Sequence, residues 1–119
     1  MSKIPRNLSR LKRNISTLRA LTKFKPRLRQ SVVENADDDL IKALSEIALN
    51  VLNGNLQLSA GEKERLRKYQ KELRKLTEPR RSIKSKRRIL VQSGGAVFLP
   101  TLVATLLASG VGKLLEKYT

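Results

Sequence analysis

The chain has no cysteine and no histidine among its 119 residues. These two absences remove disulfide bridges, thiolate metal sites, cysteine nucleophiles and imidazole general bases together. A chain without cysteine has no need of an oxidising compartment. Tryptophan is missing as well, and aromatic residues make up 3%. Any core must therefore come from Leu, Ile, Val and Ala. Phe24, Tyr69, Phe98 and Tyr118 are scattered and form no base-stacking motif, which argues against a dedicated single-strand-reading surface. Acids are scarce, ten against 26 Lys and Arg, for a net charge of +16. The apolar stretch Ala96–Ser109 is fourteen residues long, short of the ~20 that a spanning helix needs.

No nucleophile–base pair, phosphate loop, metal-ligand spacing or carboxylate dyad is visible, and the six glycines match no nucleotide fingerprint. Asp37, Asp38 and Asp39 are consecutive at an expected helix start, where their carboxyls would not converge on one ion. The sequence predicts a non-enzymatic chain with no cofactor and no metal. It predicts at most one small domain.

What is abundant is positive charge, arranged in blocks. Residues 1–35 carry ten basic residues and one acid, 36–61 carry one and four, 62–92 thirteen and four, and 93–119 two and one. Two cationic regions thus flank a mildly acidic centre, and an apolar tail follows Gly94-Gly95. The first partner this implies is a polyanion; the second is a membrane or an apolar groove. The basic N-terminus has no continuous apolar run behind it, so a secretory signal is not expected and the protein is not expected to be secreted. Its acid-free, Arg- and Ser-bearing start also fits a mitochondrial presequence over residues 1–25.

Hydrophobic spacing predicts an all-α fold, a small bundle of four or five short helices with mobile basic ends and a hydrophobic C-terminal helix. Leu8, Leu11, Ile15, Leu18 and Leu21 share one face of a helix over about 6–22. Pro26 opens a second over about 26–35, with Leu28, Val32 and Val33 as its apolar side. The clearest helix spans about 38–53, carrying Leu40, Ile41, Leu44, Ile47, Ala48, Val51 and Leu52, and Asn53-Gly54-Asn55 ends it. Ser59 with Glu62 is a capping box that opens a fourth over about 60–77, with a seam of Leu66, Tyr69, Leu73 and Leu76. Residues 1–78 form the helical region, 79–93 a basic linker or arm, and 94–119 a hinge and hydrophobic segment. Compact folding of the basic region looks costly, because little apolar surface offsets chain entropy.

The candidate phosphate contacts form two patches. One is Arg6, Arg10, Lys12, Arg13, Lys23, Lys25, Arg27 and Arg29; the other is Arg80, Arg81, Lys84, Lys86, Arg87 and Arg88. They would bind phosphate backbones through counterion release, tolerant of sequence and steeply salt-dependent. A run such as 80–88 is equally readable as a flexible arm, a helix ordered by phosphates or a nuclear-import signal. The apolar tail has three readings: packing on the helix over 38–53, insertion into an anionic membrane, or docking in a groove through Phe98, Leu99, Leu102, Leu106 and Leu107, with Lys113 and Lys117 at headgroup level. Alternatives to duplex binding are a membrane-active protein inserting residues 96–115, and a structural RNA-binding component of a ribonucleoprotein.

The stretch from Arg87-Arg88-Ile89 through Gly94-Gly95 to Phe98-Leu99-Pro100 and Leu106-Leu107 resembles the end of the adenovirus core protein X (mu) precursor. Ile15–Leu21, Ala48–Asn55 and Leu58-Ser59 are similar to small basic proteins of adenovirus-like mobile elements of the adintovirus or Maverick/Polinton type. The resemblance implies a virion core protein that condenses double-stranded DNA, located in the virion and the host nucleus. It also implies cutting of the precursor by a viral cysteine protease near Gly94-Gly95. Gln92 stands where that protease's sites favour a large apolar residue, and the helical, partly acidic centre departs from a nearly pure arginine-rich peptide.

Overall fold

The computed structural model describes residues 8–54, 56, 58–92 and 95–108, which form helices joined by short turns, with no strand among them. Eight helices are described: α1 Leu8–Arg13, α2 Ile15–Lys23, α3 Pro26–Glu34, α4 Asp38–Leu52, α5 Ala60–Arg67, α6 Gln70–Leu76, α7 Ile83–Val91 and α8 Gly95–Ala108. The radius of gyration is 13.0 Å, against about 13.5 Å expected for a compact chain of this length. The basic regions are therefore folded in rather than trailing from a core. The mobile ends expected from the sequence fall largely on residues 1–7 and 109–119, outside the described residues.

Eight helices replace the expected four or five for local reasons. The helix expected over 6–22 divides at Asn14. This residue leaves helical geometry at φ −102°, ψ 6°, and its Nδ2 donates to the Arg10 carbonyl at 2.8 Å and to Asp39 at 2.9 Å. An amide side chain that satisfies the backbone in this way competes with helical continuation. The helix expected over 60–77 divides at Tyr69, at φ −109°, ψ 15°, whose N–H donates to the Leu66 carbonyl three residues back. Neither break disturbs the apolar seam: Leu11, Ile15, Leu18 and Leu21 are all buried, as are Leu66, Leu73 and Leu76.

The basic segment 79–93, expected as a linker or arm, contains α7. Ser82 caps it by accepting the Ser85 N–H at 3.1 Å, and Ile89 and Leu90 are buried. With Ile83 and Val91 also packed against the core, the helix lies against α3, α4, α6 and α8.

Helix α4 is the axis of the molecule. Leu40, Ile41, Ala43, Leu44, Ile47 and Ala48 are buried, and α1, α6, α7 and α8 pack around it. Asp37 caps it, accepting the Leu40 N–H at 2.9 Å. Its end is turned by Gly54 at φ 71°, a left-handed conformation that only glycine adopts at no steric cost.

Helix α8 is the second axis. It packs most extensively on α2 and also on α3, α4, α5 and α7, burying Leu99, Leu102, Val103, Thr105 and Leu106. Pro100 is the sixth residue of α8, beyond its first turn, so its ring nitrogen cannot donate to the carbonyl four residues back.

Candidate nucleic-acid interface

The fourteen candidate cations divide once the fold is in view. Arg10 and Arg13 are held by a carboxylate. Arg10 Nε donates to Asp39 Oδ1 at 3.2 Å, Arg13 Nη2 to the same oxygen at 3.1 Å and Arg13 Nε to Oδ2 at 3.3 Å. With Asn14 also donating, the Asp39 carboxyl is pulled down to about 2, chiefly by the Arg13 and Asn14 hydrogen bonds. The Arg13 guanidinium is raised in return by its Asp39 hydrogen bond. This cluster ties α1 to the start of α4.

Arg29 is buried. Its Nε donates to the Leu21 carbonyl at 2.9 Å and its Nη2 to the Phe24 carbonyl at 2.6 Å, so it satisfies the carbonyls at the end of α2. Burial pushes its pKa down from the usual guanidinium value. Arg87 Nη1 donates to the carbonyls of Val33 and Ala36, and its Nη2 to Asp38 at 3.1 Å. It locks α7 to the α3–α4 turn. Arg81 bonds Glu78 at 2.9 Å and the Ser85 hydroxyl at 3.0 Å. These five arginines, expected at a phosphate surface, serve the fold.

Seven of the others are exposed. Lys23, Lys25 and Arg27 are exposed at the α2–α3 corner, Arg80 is exposed in the turn before α7, and Lys84 and Arg88 are exposed on α7. None of these six has an ion-pair partner among the described residues. Lys12 is exposed on α1. Arg6 lies outside the described residues. Lys86 is half-buried, and its pKa is lowered first by burial and then by the nearby charges of Arg81 and Lys42, with Glu46 and Glu78 acting against them.

Lys42 on α4 was not among the expected contacts, although it belongs to this cationic neighbourhood. Its place in an acidic sequence block hid it. Lys71 and Arg74 are exposed on α6, a helix that packs on α7. The signal for them was present in the sequence as a Lys- and Arg-rich helix outside the expected patches.

Among the described residues no group of three or more acids is placed to hold a metal ion. No known protein family, curated protein or solved structure matches this chain.

The tail residues sort in the opposite sense. Leu99, Leu102 and Leu106 lie inside the core and Leu107 packs against it, so the groove they fill is made by the chain's own helices. The Phe98 side chain and Gly94 lie outside the described residues, and Gly95 begins α8. No helix among the described residues is long and apolar enough to cross a membrane.

Proposed function

We propose that the protein binds and compacts double-stranded DNA without base-specific readout, as a packaging component of the virion-core kind. The observation that carries this reading is the state of the polybasic run. From Ile83 on it is helical, fixed by Arg87 and by Ile89 and Leu90 at its end, with Lys84 and Arg88 free on the helix and Arg80 free in the turn before it. Lys42, Lys86 and Arg81 concentrate further positive charge beside it. A regular polyanion fits such a rigid cationic surface, and counterion release supplies the binding free energy. Duplex is favoured over single strands because the described surface offers phosphate contacts and few aromatic faces. The burial of Leu99, Leu102 and Leu106 supports this reading over membrane insertion, since those side chains already hold the fold together.

The test is duplex binding by the full chain across a salt series, with the Arg80→Gln, Lys84→Gln, Arg88→Gln triple variant alongside. We expect sequence-indifferent binding and a salt slope that drops by about 2.7 in the triple variant, ~0.9 for each phosphate no longer neutralised. An unchanged slope with unchanged affinity overturns the assignment of this surface. Tighter binding to structured RNA than to duplex DNA at equal salt makes the protein a ribonucleoprotein component instead.

A further inference from the structure

Helix α3 presents the reverse of what its sequence predicts at two adjacent positions. The spacing places Leu28 on the buried side with Val32 and Val33, and Arg29 at the surface. In the structure Arg29 is 6% exposed and Leu28 is 50% exposed, the one large hydrophobic residue in the exposed class among the described residues. Single exposed leucines are common on protein surfaces and need no account by themselves. This one is different in its setting.

The setting is cationic and rigid. Lys23, Lys25 and Arg27 are all exposed, and none pairs with an acid among the described residues. No acid precedes Glu34 in the chain. The corner itself is stiff. Pro26 fixes the first turn of α3, and the buried Arg29 ties that turn to the Leu21 and Phe24 carbonyls at the end of α2. Leu28 is therefore a half-exposed apolar side chain on an inflexible support, with the exposed cations Lys23, Lys25 and Arg27 close by in the chain.

We propose that Leu28 is a wedge that enters the base stack of duplex DNA from the minor groove, while Lys23, Lys25 and Arg27 hold the flanking phosphates. This rests on the duplex-binding reading above and deepens it. An apolar side chain inserted between two base pairs unstacks the step and kinks the duplex, and the bend brings more phosphates onto the protein. The mode needs no aromatic residue, which suits a chain with few of them. It also turns binding into compaction, because each bound molecule bends its site. The same chemistry points less well to a lipid surface. A whole myristoyl chain gives only marginal membrane attachment, so a lone leucine is too small an anchor, whereas one side chain suffices to part a base step.

The experiment uses the full chain, wild type with Leu28→Ala and Leu28→Phe, on a duplex of about 25 base pairs carrying end-to-end fluorescence donor and acceptor and an internal 2-aminopurine. Thermal melts of the three proteins should agree, since Leu28 is not part of the core. Wild type and Leu28→Phe are expected to shorten the end-to-end distance and raise 2-aminopurine emission. Leu28→Ala is expected to do neither, to bind roughly three- to tenfold more weakly, and to keep the wild-type salt slope. Wild type that binds duplex with a steep slope but leaves both signals unchanged overturns the wedge and leaves the duplex reading standing. Wild type that does not bind duplex overturns both. Capture by anionic vesicles that depends on Leu28, with duplex signals indifferent to it, reassigns the side chain to lipid.

Discussion

At the scale of single residues, the three consecutive aspartates show how much depends on position. Asp37 caps α4, Asp38 receives Arg87 from α7, and Asp39 receives Arg10, Arg13 and Asn14 from α1 and its turn. One residue type, in one run, thus closes a helix and docks two others. The Asp39 pKa is depressed in the fold from 3.8 to about 2. A group depressed on folding contributes stability above its ordinary pKa and loses it as pH falls through the folded value. Asp39→Asn is therefore expected to lower Tm at neutral pH. The gap from wild type should close between about pH 4 and pH 2, as read by circular dichroism melts across that range. A gap that persists undiminished at about pH 2 would show that the carboxylate charge is not what the site uses.

The exchange of Arg29 for Leu28 belongs to the same scale. Helical spacing gives the angle between neighbouring side chains but not which of them meets the core. A guanidinium that can satisfy two otherwise orphaned carbonyls wins the inward position.

At the scale of elements, caps and breaks set the boundaries. The Ser59–Glu62 box was readable from the sequence because both partners are local. Ser59 Oγ accepts the Glu62 N–H at 3.1 Å, and Glu62 Oε1 accepts the Ser59 N–H at 2.9 Å. What was not readable is that Glu62 Oε2 also accepts from Thr105 Oγ1 at 3.2 Å, joining α5 to α8. The Ser59 backbone hydrogen bond is the chief reason that the Glu62 carboxyl lies below its ordinary pKa. Ser59→Ala should cost about 1 kcal/mol, measured by urea unfolding.

Helix α8 carries the larger stakes. Leu102 is fully buried, and Leu102→Ala should cost about 2–5 kcal/mol through reduced burial and the cavity left behind. For the same reason a chain ending at Gly95 is expected to lose its cooperative thermal transition rather than fold as a tail-less domain. A sharp melt for that truncation, close to that of the full chain, would show that α8 is dispensable.

At the scale of the whole molecule, the governing quantity is the +16 charge on 119 residues. Few acids are available to offset it, and two arginines, Arg10 and Arg13, share the single carboxylate of Asp39. The folded state should therefore gain stability as salt screens it. Tm is expected to rise between low ionic strength and about 0.3 M salt, over the range in which duplex affinity falls. A Tm that drops over this range would mean that the Asp39 and Asp38 clamps outweigh the repulsion. Added duplex at low salt is expected to raise Tm by linkage.

The helical class, the seams through Leu11–Leu21, α4 and Leu66–Leu76, and the caps at Asp37 and Ser59 were determined by the sequence alone, because each depends on residues within a turn or two of one another. The polybasic run was left open between an arm and a helix because its apolar residues are few; the nearby sign of a helix was Ser82 ahead of Ile83, Ile89 and Leu90. The tertiary structure alone decided which cations are free. Arg10, Arg13, Arg29, Arg81 and Arg87 find acceptors, four of them on other helices or their ends, and no local pattern reports a partner that distant in the chain. It also decided the fate of the apolar tail. An apolar helix reads alike whether it meets lipid, a groove or a core, and only the assembled faces of α2, α3, α4, α5 and α7 supply the surface that buries it.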